Sequence, residues 1–173
     1  MGEQLCGHWR DVFGLNVVSL RLFNVYGPRV SADRGYGAMF GVFMSQLASG
    51  YPLTVIGDGL QRRDFTYVTD VCDAFVKAAL TVIDSEWIFN IGTSRPVSVQ
   101  KIVELLGGDV QRLPDRPSEP RVTCASVELA RSRLGWESKV DVELGVSRML
   151  AHLESWKGHK VWLPEQICLA SKE

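Results

Sequence analysis

Three stretches of this sequence combine polar side chains with glycine or proline in ways that a packed core does not need. The first, Phe23-Asn24-Val25-Tyr26-Gly27-Pro28-Arg29, directly follows an apolar run. Ligands in open α/β sheets bind beyond the carboxyl ends of strands, so Asn24 stands where a bound group is expected; the plain alternative is a turn residue whose amide satisfies nearby backbone. The second is Gly57-Asp58-Gly59-Leu60-Gln61-Arg62-Arg63-Asp64-Phe65-Thr66-Tyr67-Val68, a turn that delivers Arg63 into an extended segment. The planar fork of an arginine matches phosphate oxygens. The alternative is that Arg63 pairs with Asp64 or another surface acid, and Arg62 reads as such an ordinary surface charge. In the third, Asp115-Arg116-Pro117-Ser118-Glu119-Pro120-Arg121, prolines hold Arg116 and Glu119 three residues apart at low entropic cost. A cation for phosphate beside an acceptor for sugar hydroxyls suits a nucleotide, while a stiff linker with solvated charges has the same composition. Phe65, Tyr67 and Trp136 read as core aromatics, not stacking groups.

Other chemistry is missing. No Gly-x-Gly-x-x-Gly occurs, and Gly57-x-Gly59 is followed at the sixth position by Arg62. There is no phosphate-loop lysine motif and no Gly-x-Ser-x-Gly elbow. His8, His152 and His159 have no ligand spacing with cysteine or carboxylate, and none of the tyrosines at 26, 36, 51 and 67 has a lysine four positions on. On its residues alone the chain reads as a binding module without a nucleophile, acid-base pair or metal site.

The elements that must position these groups alternate in type. Leu5, Trp9, Val12 and Phe13 keep a helical period closed by Gly14, and Val17 to Phe23 reads as an interior strand. A long loop then runs to Tyr36, before a helix over 38–48. Leu53 to Ile56 is a strand, Asp64 to Val68 is extended, and Asp70 is expected to cap a helix burying Val71, Ala74, Phe75, Ala78 and Val82. Trp87 to Ile91 reads as a strand, and Ser98 caps a helix carrying Val99, Ile102, Val103 and Leu106 up to Gly107. Leu113 to Arg121 is irregular; helices follow from Ser126 to Leu134 and from Asp141 to about Trp156. The tail from Gly158 has no clear period. Alternation of this kind implies an α/β architecture.

Composition narrows the class further. The 173 residues are 46% hydrophobic and 23% charged, with net charge −1 and no run of like charge, which argues against nucleic acid or a membrane surface as partner. No apolar stretch approaches the ~18 residues of a membrane span, and the first residues do not read as a signal peptide. Cys6, Cys72, Cys124 and Cys168 lack metal or disulfide spacing, so the expectation is a cytoplasmic chain with reduced thiols.

Taken together, five stretches resemble the extended short-chain dehydrogenase/reductases that act on nucleotide sugars, the NAD-dependent epimerases and dehydratases. They are Leu20-Arg21-Leu22-Phe23-Asn24-Val25-Tyr26-Gly27-Pro28-Arg29, Pro52 to Gly59, Arg63-Asp64-Phe65-Thr66-Tyr67-Val68-Thr69-Asp70-Val71, Phe89-Asn90-Ile91-Gly92-Thr93 and Arg116-Pro117-Ser118-Glu119-Pro120. Each is weak alone; their order and spacing make the resemblance, which extends over nearly the whole chain. It implies that Asn24 hydrogen-bonds the diphosphate or sugar of a nucleotide-diphosphate sugar and that Arg63 and Arg116 clamp the diphosphate. It further implies that Glu119 accepts from the ribose hydroxyls and that the backbone of Thr54 and Ile56 reads the base. Leu22 and Val25 would line the nicotinamide end of NAD.

Complete members of that family also carry a glycine-rich dinucleotide turn and a Tyr-x-x-x-Lys pair, and this sequence contains neither. The resemblance therefore implies the C-terminal, substrate-binding portion of a Rossmann-type epimerase, with the last strands of the parallel sheet but no N-terminal dinucleotide-binding half. Residues 1–35 would be a residual helix, strand and loop of that sheet, 36–157 the nucleotide-sugar region including the returning strand 87–91, and 158–173 a tail. A UDP-hexose is the expected ligand. NAD would belong to the complete enzyme, with none bound by this chain alone, which is expected to be inactive. The unpaired sheet edge implies a homo-oligomer or a missing N-terminal half as partner. The other reading is a non-enzymatic dimerisation or regulatory module using that edge and the first helix.

Overall fold

The computed structural model describes residues 1–32, 39–83, 86–117 and 119–170. In chain order the elements are α1 (Gly2–Phe13), β1 (Ser19–Leu22), β2 (Val25–Tyr26), α2 (Met39–Ala48), β3 (Leu53–Ile56), β4 (Arg62–Arg63), β5 (Thr66–Tyr67) and α3 (Val68–Leu80). They continue as β6 (Ile88–Ile91), β7 (Val97–Ser98), α4 (Val99–Leu106), β8 (Val110–Leu113), α5 (Glu128–Leu134), α6 (Val142–Leu150), a 3-10 turn (Leu153–Trp156) and α7 (Pro164–Ala170). The expected boundary at 35/36, and the loop end at Tyr36, lie outside the described residues.

Among the described residues the strands form four separate pairs. β1–β6, β2–β5 and β3–β8 are parallel, and β4–β7 is antiparallel. Parallel partners need a crossover, and helices lie in each one: α2 between β2 and β5, α2 and α3 between β1 and β6, and α3 and α4 between β3 and β8. The helix ends follow ordinary capping chemistry. Ser98 Oγ accepts from the Lys101 amide at the start of α4, and Asp141 Oδ1 accepts from the Leu144 amide at the start of α6. Gly14 and Gly135 close α1 and α5 in the left-handed conformation.

Two apolar cores result. One gathers Tyr26, Phe40, Phe43, Met44, Leu53, Val55, Ile102, Val146 and Met149; in it Tyr26 stacks on Phe40 with ring centres 4.4 Å apart. The other packs Val71, Ala74, Ala78, Phe89, Ile91, Ala130 and Trp136. Phe65, Tyr67 and Trp136 are all buried, as core aromatics should be.

Several local expectations need correction. Asp70 does not cap α3: that helix starts at Val68 directly after β5, and Tyr67 is its N-cap without a side-chain bond. Asp70 lies buried in the first turn, where its Oδ2 accepts the amides of Lys139 (2.9 Å) and Val140 (3.0 Å), tying the approach to α6 onto α3. Phe75 and Val82 are exposed, not buried: α3 turns only one face to the core, and Val82 lies beyond its end at Leu80. Beside it a cavity of about 250 Å³ opens between Val18, Leu20, Phe75, Ala78 and Ala79. The helix expected from Asp141 to Trp156 is α6 followed by a separate 3-10 turn, while β8 and α7 stand where no regular element was expected.

Helix α1 is amphipathic yet has no buried residue. Leu5, Trp9, Val12 and Phe13 are exposed, and Trp9 stacks on Phe13 at 4.6 Å. What attaches it to β1 is polar: Arg21 donates through Nε (2.7 Å) and Nη2 (2.6 Å) to the two oxygens of Glu3. That fork holds the Glu3 carboxyl below its ordinary pKa. None of the described helices is long and apolar enough to cross a membrane.

Candidate functional site

The site begins where β1 ends. Phe23 still donates its amide to Ile91, but Asn24 turns to φ 28°, a conformation asparagine tolerates better than most side chains. Its carbonyl accepts the Thr66 amide at 3.2 Å, which redirects the chain into β2 alongside β5. Asn24 is thus a turn residue, and its side chain is exposed between the exposed Leu22 and Val25. The turn and ligand readings coexist here: the backbone makes the turn and leaves the amide group outward.

Arg63 is delivered by β4, which pairs with β7 on one side (Arg62↔Ser98, Arg63↔Val97). On the other side Arg62 donates its amide to Arg121 and accepts from Thr123, so the end of the proline-rich loop runs along β4. That register brings Glu119 and Pro120 to Arg63. The guanidinium donates through Nη2 to Glu119 Oε1 (2.7 Å) and through Nη1 to the carbonyls of Pro120 (2.7 Å) and Arg62 (2.9 Å). The pair is well shielded, with side-chain exposures of 14% for Arg63 and 29% for Glu119. Asp64, offered by sequence as a partner for Arg63, is not one. Arg62 is exposed and donates to the Pro96 carbonyl through Nε and Nη2.

Arg116 sits across the same turn, its carbonyl receiving the Glu119 amide at 3.4 Å, and it is partly buried. The far end of the loop is anchored by Arg121, which grips both oxygens of Asp58 at 3.1 and 3.0 Å. The guanidinium is the main reason the Asp58 carboxyl is held below its ordinary pKa, with the Leu60 amide adding to the effect. Gly57, at φ 64°, accepts Arg112 on its carbonyl and lies under Asp115 so closely that a Cβ would fall 1.8 Å from Asp115 Oδ1. The positive φ is what favours glycine here, while any Cβ would also push the exposed Asp115 carboxylate aside. Through Asp115, Glu119, Pro120 and Arg121, the 57–59 turn and the proline-rich segment are thus joined in one polar rim that reaches Arg63.

Thr54 and Ile56 lie in β3 behind this rim. Leu53 and Gly57 direct their amides to Asp109 and Leu113 on the β8 side, so the alternate residues face the other edge. There the Thr54 amide donates to Gln46 Oε1 (3.2 Å), and the Ile56 carbonyl accepts from Gln61 Nε2 (3.0 Å). Sequence reasoning gave no role to either glutamine or to Arg121, and offered Asp64 only as a partner for Arg63. Asp64 is completely buried, and its oxygens accept the amides of Thr93 (2.7 Å), Ser94 (2.9 Å) and Ala125 (3.0 Å) and the Thr93 hydroxyl. An aspartate within an otherwise β-forming segment, followed later by a Gly-Thr-Ser turn, was the available signal for it. Among the described residues no three His, Cys, Asp or Glu side chains come together as metal ligands, and the four cysteines are free.

Comparison with known proteins converges on one family. The family model described as "NAD dependent epimerase/dehydratase family" matches residues 1–92. An uncharacterised UDP-glucose epimerase of Bacillus subtilis is 32% identical over 164 residues, covering 89% of this chain and 49% of that protein. UDP-glucuronate 4-epimerase of Thermodesulfobacterium geofontis is 30% identical over 171 residues, covering 95% and 50%. Among solved structures, UDP-glucuronic acid 4-epimerase from Bacillus cereus in complex with UDP-glucuronic acid and NAD aligns with TM-score 0.77 and 31% identity over 89% of this chain and 50% of that one. UDP-glucose 4-epimerase from Thermotoga maritima with UDP-glucose gives TM-score 0.77 and 30% identity over 88% and 50%. The chain spans about half the length of these relatives, and its mixed parallel strands and helices match half of a Rossmann-type epimerase. By the match to its first 92 residues, by these relatives and by its fold, the chain belongs to the NAD-dependent epimerase/dehydratase family.

Proposed function

We propose that this chain is the nucleotide-sugar-binding portion of an NAD-dependent epimerase or dehydratase acting on a UDP-hexose. The observation that carries the reading is the meeting of Arg63 and Glu119, from segments 56 residues apart, in a chain whose parallel strand β1 ends in the Asn24 turn. In this reading Arg63 and Arg116 clamp the diphosphate, Asn24 hydrogen-bonds the diphosphate or sugar, and Glu119 accepts from the ribose hydroxyls. The base would lie along the edge of β3, against the backbone groups of Thr54 and Ile56 that Gln46 and Gln61 do not hold. The solved relatives in complex with UDP-glucuronic acid and with UDP-glucose support a uridine diphosphate ligand. Residues 36–157 would make up the nucleotide-sugar region, with 1–35 belonging to the sheet and 158–173 a tail.

NAD supplies hydride acceptance and return when bound. Leu22 and Val25, exposed apolar groups at the end of β1, fit its nicotinamide end. These residues contain no glycine-rich phosphate turn and no Tyr-x-x-x-Lys, so this chain alone is proposed to be inactive and to hold no NAD. Calorimetric titration tests the binding role: UDP and UDP-glucose are expected to bind with similar weak affinity, and uridine without phosphate is not. Absence of heat with both diphosphates would sink the reading.

The outward apolar face of α1 favours a second property, association with another copy of the chain or with an N-terminal half. A regulatory or dimerisation module without catalysis would use the same face. Light scattering should then find a mass above the monomer that falls toward it in Trp9→Glu. A stable monomer at high concentration would remove self-association.

A further inference from the structure

In the structure the arginine assigned to the diphosphate already holds an anion. Both terminal nitrogens of Arg63 are committed: Nη2 to the Glu119 carboxylate at 2.7 Å, and Nη1 to the carbonyls of Pro120 and Arg62. A diphosphate that takes the Nη2 end of this fork displaces Glu119, and one that binds only at Nε still meets the Glu119 charge beside it. What happens to the displaced carboxylate then decides which anions bind well. We infer that Glu119 acts as a gate on Arg63, one that admits a diphosphate carrying a ribose diol and disfavours bare inorganic anions.

The argument is one of exchange. An ionised carboxylate only accepts hydrogen bonds, so a phosphate or pyrophosphate ion offers it nothing and leaves two like charges close together. A nucleoside diphosphate brings hydroxyl donors as well, and these replace the guanidinium as partners for Glu119. Selectivity thus comes from a penalty against the wrong ligand as much as from contacts to the right one. The environment suits the task. With 14% exposure the Arg63 side chain is shielded enough for its partner to matter, while Glu119 at 29% can still swing out. Pro120 directly follows Glu119 and Pro117 lies two residues before it, which lowers the entropy lost when the carboxylate docks on Arg63.

The inference rests on the nucleotide-diphosphate reading, and the test separates the two. Titration calorimetry of this chain would measure UDP and inorganic pyrophosphate against wild type, Glu119→Gln, Asp115→Asn and the double variant Arg63→Ala/Glu119→Gln. Glu119→Gln keeps the side-chain shape, and Glu119→Ala repeats the measurement where the amide disturbs the loop; thermal melting verifies that each variant is folded. The expected result is about fivefold tighter pyrophosphate binding in Glu119→Gln, the size of a partly shielded ion pair, with no matching gain for UDP. The preference for UDP over pyrophosphate then falls about fivefold or more. Asp115→Asn, which removes a nearby charge without freeing Arg63, should leave pyrophosphate binding within about twofold of wild type, and the double variant should lose the gain. Unchanged or undetectable pyrophosphate binding in Glu119→Gln, or an equal gain in Asp115→Asn, overturns the gate. If UDP binds while the gain is absent, only the gate fails. If pyrophosphate gains while UDP never binds, an anion gate exists and the nucleotide reading fails.

Discussion

Replacing Asp64 by asparagine should destabilise the fold by about 3 kcal/mol, the largest effect expected of any single isosteric change at the site. The carboxylate is completely buried and receives four donors: the amides of Thr93, Ser94 and Ala125 and the Thr93 hydroxyl. An asparagine keeps one acceptor oxygen and turns an NH2 toward the remaining donors, so at least one buried N–H faces another N–H. Relaxation is restricted, because a Cβ on Gly92 would already fall 2.4 Å from Ala125 Cβ and 2.8 Å from Asp64 Oδ2. For a chain of this length 3 kcal/mol corresponds to roughly 6–12 °C in Tm. Thermal melting followed by circular dichroism measures it, and a shift below about 2 °C would refute the account. The effect would reach the ligand site too, since Asp64 fixes the strand that carries Arg63.

The second large effect concerns binding. Arg63→Ala should weaken UDP by about 30-fold or more, since a charge-assisted hydrogen bond to a desolvated anion contributes roughly 2 kcal/mol. Stability should fall much less: the variant releases Glu119 and two carbonyls, but Glu119 is partly exposed and can rehydrate. Arg63→Lys separates charge from shape. A lysine retains the point charge but not the planar fork, so an intermediate affinity is expected. Calorimetry with UDP reads all three proteins, and undiminished binding in Arg63→Ala would remove this residue from the site.

Much of the fold could be read from residue pattern, and the failures have physical causes. Helix α4 carries a capping serine, four periodic apolar residues and a closing glycine, and the structure reproduces it from cap to stop. Strand β6 differs from expectation by one residue. In α3, by contrast, Ala74, Phe75 and Val76 are contiguous and apolar, so the period cannot say which of them face β6; only Ala74 is buried. Asp70 looked like a cap because an acid precedes an apolar stripe, yet β5 passes into α3 without a loop and puts the N-cap on Tyr67, three residues earlier. β8 was illegible for another reason. Its four residues include an arginine, and three of them are exposed, so it is defined by pairing with β3 and not by its own pattern. α7 is held by distant groups, as the neighbouring Trp162 donates to Ala32 and accepts from Gln46.

The site divides in the same way. Arg63, Arg116, Glu119 and Asn24 are recognisable as residue types in a familiar order. The ion pair between Arg63 and Glu119 is not, because it depends on the register by which Arg62 pairs with Arg121 and Thr123. The role of Asp64 is hidden for a related reason: its partners lie about thirty and sixty residues downstream.

The long spacing of the parallel pairs has a consequence during synthesis. Ser19 finds its partner only at Ile88, so β1 leaves the ribosome and waits for roughly 70 further residues, on the order of 3–14 s at ordinary elongation rates. Throughout that interval Leu20 and Leu22 lack β6 beside them; α3 is made only near its end, and Trp136 comes later still. A nascent chain with this topology is a natural client for chaperones that hold extended apolar segments. A swap that brought the two strands closer in sequence would shorten that dependence.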